Sequence, residues 1–207
     1  MIQVPTTEDF QRGCSTFQAK EKRDAMYKTA TFLIDHFWGQ APEIADSLGV
    51  LLLTWNQAFY RYGAFDFHLL EEAIADNQTQ LGAFRVRDIL SYSTEEDVAI
   101  KLLFNRFMVA LQICEGAKKG TQSPVSAAKT LHLLAPRFFP LWDLKIANAY
   151  GCRYAHNPSD QYVRFIGKTK GLAERLAEAA QVFGSGKSLL KLIDEYNYAK
   201  YTKGWVL

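Results

Sequence analysis

Apolar residues recur at three- and four-residue steps along most of this chain, and strict alternation over a strand length is absent. Ala25, Thr29, Phe32, Leu33 and Phe37 predict a first helix from about Phe17 to Trp38, stopped by Gly39 and Pro42. Pro42 suits the first turn of a second helix, which carries Ile44, Leu48, Leu51, Leu52, Trp55 and Phe59 and ends by Gly63. Asp66 predicts the cap of a helix through Ala75, and the stretch from Ala83 to Leu90 fits no single pattern. Ser93 and Glu96 have capping-box spacing, opening a helix through Leu103, Phe107 and Leu111 to about Glu115. A polar loop from Gly116 to Gln122 follows. Ser123-Pro124 then opens a helix that Ala135-Pro136 ends, and Asp143 opens one that stops at Gly151. Gly171 to Phe183 and Ser188 to Tyr196 supply the last two. The expectation is all-α: one compact domain over residues 1–207, with about eight helices arranged as one body or as two lobes around a cleft.

Composition fits this. With 207 residues, 48% of them hydrophobic, the chain can bury a sizeable core. Net charge is only +2, so the chain as a whole is not strongly cationic; that balance neither requires nor excludes a nucleic-acid partner and leaves room for a local basic face. The three cysteines are far apart and lack zinc or iron–sulfur spacing, so reduced thiols, no metal and no cofactor are expected. The first residues show neither a basic start nor a long apolar run, and the longest purely apolar stretch, Val50 to Leu53, cannot span a membrane. A cytoplasmic location is the simplest expectation. Gly184-Ser185-Gly186-Lys187-Ser188 lacks the earlier glycine of a phosphate loop, since Gln181 stands there, and reads as a turn between helices. The tail from Tyr196 to Trp205 mixes rings and cations and suits docking across the domain.

The sharpest chemistry lies between residues 123 and 151. Lys129 sits in a helix apolar nearly all round, flanked by Val125, Ala127, Ala128, Leu131, Leu133 and Leu134. Burial disfavours an ammonium, so such a lysine is a candidate amine nucleophile. The bland reading is a stem laid over apolar surface with its charge in water. His132, three residues on, shares that side of the helix. Asp143 has the position of an N-cap, which also holds a carboxylate rigidly enough to stabilise a nearby cation. In the aromatic stretch Trp55 to Gly63, Asn56, Tyr60 and Arg61 are candidates for a cleft wall.

Lys129-Thr130, followed by Phe139-Pro140-Leu141-Trp142-Asp143-Leu144-Lys145-Ile146-Ala147-Asn148-Ala149-Tyr150-Gly151, resembles the core of the helix-hairpin-helix DNA glycosylases. Leu51-Leu52-Leu53-Thr54-Trp55-Asn56-Gln57 is a weaker echo of the same family. The likeness spreads over roughly residues 45–151, with its sharper part in 123–151. Two features depart from the pattern. Ser123-Pro124-Val125-Ser126 replaces the phosphate-gripping glycine hairpin, and the 14 residues from Lys129 to Asp143 are fewer than usual by roughly one helical turn. The resemblance implies that a damaged nucleotide of double-stranded DNA is flipped into a pocket. Asp143 would stabilise the developing sugar cation and Lys129 would attack the anomeric carbon. Trp55, Asn56, Tyr60, Arg61, His132 and Trp142 would line the base site, and Lys118, Lys119, Arg137 and Lys145 would meet phosphates. The competing readings are a non-catalytic all-α interaction protein and a small-molecule binder with an aromatic pocket.

Overall fold

Side-chain caps set the helix starts that position the site. The Thr6 hydroxyl accepts from the Asp9 N–H at 3.1 Å, Asp66 from His68, Ser123 from Ser126, Asp143 from Ile146 and Ser188 from Lys191. The structure, a computed structural model, describes residues 4–183 and 186–206. Among these it is all-helical, without a strand. In chain order the helices are α1 (Thr7–Lys20), α2 (Ala25–His36), α3 (Ala41–Trp55), α4 (Gln57–Tyr60), α5 (Phe67–Asp76), α6 (Gln78–Arg85), α7 (Asp97–Ala110), α8 (Pro124–Leu134), α9 (Leu144–Ala149), α10 (Pro158–Phe183) and α11 (Leu189–Asn197). A π-turn, Tyr198–Thr202, continues α11. No helix among the described residues is long and apolar enough to cross a membrane.

The eleven helices exceed the eight or so expected, and the differences have local causes. The helix expected from Phe17 to Trp38 is two helices. The chain breaks after Lys20, and Asp24 takes a left-handed conformation, φ 42°, with no glycine or proline to announce it. The Asp24 side chain does not cap α2; it bonds the Lys191 ammonium at 2.9 Å. The helix expected to reach Gly63 stops at Trp55, because Asn56 is its C-cap and the short α4 follows. The undecided stretch after Ala83 is the end of α6 and a 3₁₀ turn, Ile89–Ser91. The Ser93–Glu96 capping box is present, but it caps a 3₁₀ turn that leads into α7, and α7 ends at Ala110 rather than near Glu115. The helix expected from Gly171 begins at Pro158, a residue suited to a first turn. Of the expected turn 184–188, residues 184 and 185 lie outside the described residues.

α8 is central. Eight of its eleven residues are buried, and it packs against α2, α3 and α7. α1 pairs with α11 and also meets α10, while α9 packs on the π-turn. The α1–α11 approach requires Gly13: a Cβ there would stand 2.5 Å from Tyr196 Cδ2. Before α9, the Trp142 ring is buried with Tyr162 at 5.3 Å and Phe165 at 6.1 Å between centroids. That aromatic anchor fixes the segment carrying Asp143.

Candidate functional site

Lys129 is the one polar side chain of α8's middle turns that reaches open space. Its ammonium donates to the Trp55 carbonyl at 3.1 Å and to Asn56 Oδ1 at 2.6 Å, and it stands 4.4 Å from the Trp55 ring centroid. The Trp55 carbonyl belongs to the last turn of α3, the negative end of that helix, so a cation is favoured there. Asn56 is itself held, its Nδ2 donating to Ser126 Oγ at 2.6 Å. An ammonium has three donors, and two are spoken for. Burial nevertheless dominates, and the amine is pushed down from 10.5 to about 8, against the opposing pull of Asp143 and Asp194.

Lys129 and Asp143 open onto the same pocket, of about 280 Å³. Its walls come from distant parts of the chain: Phe17 of α1, Tyr27 of α2, Trp55 of α3, Trp142 before α9, Lys191 and Asp194 of α11, and Tyr198 of the π-turn. Asp143 uses both oxygens. Oδ1 accepts the Ile146 N–H at 2.7 Å and caps α9, and Oδ2 accepts the Thr202 hydroxyl at 2.6 Å. The carboxylate is therefore aimed from two directions, through α9 and through the π-turn.

The far wall is an ionic group. Lys191 is buried, with Asp24 at 2.9 Å, Asp194 at 3.7 Å and Glu195 at 3.9 Å, and its ammonium lies 3.9 Å from the Tyr27 ring centroid. Burial works against this ammonium, but the three carboxylates outweigh it and raise its pKa. Burial pushes the Asp194 carboxyl up to about 6, partly offset by Lys191. Burial likewise raises the Tyr27 phenol, with nearby carboxylates adding to it. With Glu21 and Asp24 also on the wall, the pocket holds four carboxyl side chains and two lysines among rings.

The other sequence candidates are distributed as follows. Trp55 and Trp142 line this pocket, and Asn56 anchors Lys129 while facing a neighbouring hollow with Phe59 and Ser123. Tyr60 is placed in the core, its hydroxyl donating to the Leu111 carbonyl at 3.0 Å. Arg61 is exposed and lies over the Tyr62 ring, outside the pocket. His132 is wholly buried, with Nδ1 2.6 Å from the Phe139 carbonyl oxygen, and burial drives it down to about 3, so it remains neutral. It touches the site only through its ring contact with Tyr27, at 5.6 Å. Lys118 and Lys119 are exposed at the 3₁₀ turn Gly116–Lys118. Arg137 faces Asp88 at 3.8 Å, and Lys145 donates to the Thr202 carbonyl at 2.6 Å. Tyr27, Lys191, Asp194 and Tyr198 were not singled out from sequence. The one signal for them is the Lys191, Asp194, Glu195 spacing on an otherwise apolar helix, which also suits a solvated ion pair. No group of His, Cys, Asp and Glu able to hold a metal ion occurs among the described residues, and all three cysteines are free thiols.

Comparison with protein-family models, with curated proteins and with solved structures gives no match to this chain.

Proposed function

We propose that this chain is DNA glycosylase-like in fold and acts on a damaged nucleotide through the Lys129 amine. One observation carries the reading: a lysine with its pKa held near 8 faces the same pocket as a rigidly aimed aspartate. At neutral pH roughly a tenth or more of such an amine is unprotonated, against about one part in a thousand or less for an ordinary lysine. In this reading the Nζ lone pair attacks C1′ of a flipped nucleotide. The C1′–N bond breaks, and the base leaves with the electron pair and takes up a proton. The nitrogen then loses a proton, its lone pair expels O4′, which leaves with the bonding pair and takes up a proton, and a protonated imine joins Lys129 to the opened sugar. Asp143 stabilises positive charge as it develops at C1′, and Trp55 and Tyr198 offer faces to a ring.

The test is borohydride trapping on a panel of duplexes carrying damaged bases and abasic sites. A covalent adduct present in the wild type and absent in Lys129→Ala supports the reading, and the panel identifies the substrate. No adduct on any duplex rejects it. A second reading is favoured by the two bonds of Asp143, to the Ile146 N–H and the Thr202 hydroxyl, which by themselves account for its position as a helix cap tied to the turn after α11. In that reading the chain keeps the fold as a non-catalytic interaction protein, and the same experiment returns no adduct.

A further inference from the structure

We infer that phosphates are gripped by lysines around the C-terminal aromatic turn, and not by the segment preceding α8; this rests on the nucleic-acid reading above. The start of α8 is poorly equipped for an anion. Pro124 has no N–H, the Ser126 N–H is taken by Ser123 Oγ at 3.1 Å, and the Ala127 N–H by the Ser123 carbonyl at 3.2 Å. Of the amides that a helix N-terminus ordinarily presents to a phosphate, that of Val125 is left.

The other side of the pocket is different. Tyr198 lines the pocket and packs edge-on against Phe17 at 5.7 Å and Trp205 at 5.9 Å. Two lysines stand over this platform and a third is tied to the backbone of the turn that carries it. Lys20, at the end of α1, stands 5.1 Å from the Trp205 centroid. Lys203 stands 5.4 Å from the Tyr198 ring and 5.8 Å from that of Trp205. Lys145 of α9 donates to the Thr202 carbonyl, on the same residue whose hydroxyl holds Asp143. All three lysines are exposed. Among the described residues none of them forms an ion pair with a carboxylate, whereas Lys101, Arg106 and Arg137 elsewhere on the surface each do. Lys22 and Arg23, which follow Lys20 in the chain, are also exposed and form no ion pair among the described residues; Glu21, between Lys20 and Lys22, lines the pocket, and Asp24 pairs with Lys191.

Unneutralised cations held over aromatic faces beside a pocket match a polyanion that carries flat bases. The geometry also links grip to chemistry, since Lys145 and Asp143 meet on Thr202. A phosphate at Lys145 would place its nucleotide beside the aspartate, within one residue of the turn.

The experiment is the anisotropy of a labelled DNA duplex titrated with protein over a range of salt. Lys20→Glu/Lys203→Glu is compared with Lys118→Glu/Lys119→Glu, with folding of each checked by circular dichroism. The first pair is expected to weaken binding tenfold or more and to lower the slope of log affinity against log salt by about 2. Lys20→Arg/Lys203→Arg keeps both charges and is expected to keep affinity and slope. If the Lys118/Lys119 pair loses more affinity than the Lys20/Lys203 pair, the inference is overturned while the nucleic-acid reading stands. Loss of binding in the arginine pair also overturns it, because charge is then not what acts. If the wild type shows no salt-dependent binding to duplex, the nucleic-acid reading fails and takes this inference with it.

Discussion

Replacing Lys129 by methionine tests the energetics of the buried amine separately from any reaction. Lys129 is held near 8 in the folded protein and has its ordinary value, 10.5, when unfolded. Below 8 both states bind the proton, and the folded state carries the whole cost of burying the ammonium. Between 8 and 10.5 the unfolded chain binds the proton and the folded protein does not, so unfolding free energy rises with pH. Above 10.5 neither state is protonated and the cost is gone. The full span is worth about 3 kcal/mol, of which about 2.5 kcal/mol falls between pH 7 and pH 10. Methionine fills a similar stem and does not titrate. It loses the hydrogen bonds to Trp55 and Asn56, a term that does not depend on pH. Urea unfolding of both proteins at the two pH values isolates the titration, because groups common to both cancel. The stability of Lys129→Met relative to wild type should fall by about 2.5 kcal/mol from pH 7 to pH 10. A difference constant to within about 0.5 kcal/mol would mean that Lys129 titrates like a solvated lysine and that burial does not lower its pKa.

Three further outcomes follow from the same geometry. Asp143→Asn keeps an N-cap on α9, since asparagine caps as well as aspartate, but removes a charge that favours the ammonium; the Lys129 titration should move below 8, seen by NMR of the labelled side chain. Lys191→Met leaves Asp24, Asp194 and the fully buried Glu195 without their shared cation, and should cost about 3–5 kcal/mol in urea unfolding near pH 7; a loss under about 1 kcal/mol contradicts the buried network. Gly13→Ala forces a methyl against Tyr196 and should cost about 1–3 kcal/mol while loosening the turn that holds Asp143, readable as a lower melting temperature and faster amide exchange at Thr202.

Sequence pattern and capping chemistry account for much of the fold. Asp66, Ser123, Asp143 and Ser188 act as the caps their residue types suggest, because a cap is a local device spanning three or four residues. The break at Asp24 is not legible in the sequence: no glycine or proline marks it, and the partner of the Asp24 carboxylate, Lys191, lies far along the chain. The start of α10 at Pro158 was missed for a different reason: its first turns are buried on one face by packing that Gly167 and Gly171 obscure in the sequence. In the candidate site, Lys129, Asp143, Trp55 and Trp142 come together because they lie in or beside the central α8 and the anchored segment after it. Tyr60 suits a cleft wall in one dimension, but its helix turns it into the core, while His132 is the packed histidine that a lone histidine on an apolar helix suggests. The opposite wall, from Tyr27 to Tyr198, is assembled from both ends of the chain, and its one local signal, the Lys191, Asp194, Glu195 spacing, equally suits a solvated ion pair.

The most direct test of the account is the pH dependence of reductive alkylation at Lys129, using a small aldehyde and cyanoborohydride, with each lysine followed by mass spectrometry. Lys129 should react before the other lysines, with a rate that rises to half its maximum near pH 8. A half-maximum near 10.5, in step with the surface lysines, would contradict it and leave Lys129 as a cation that closes the end of α3.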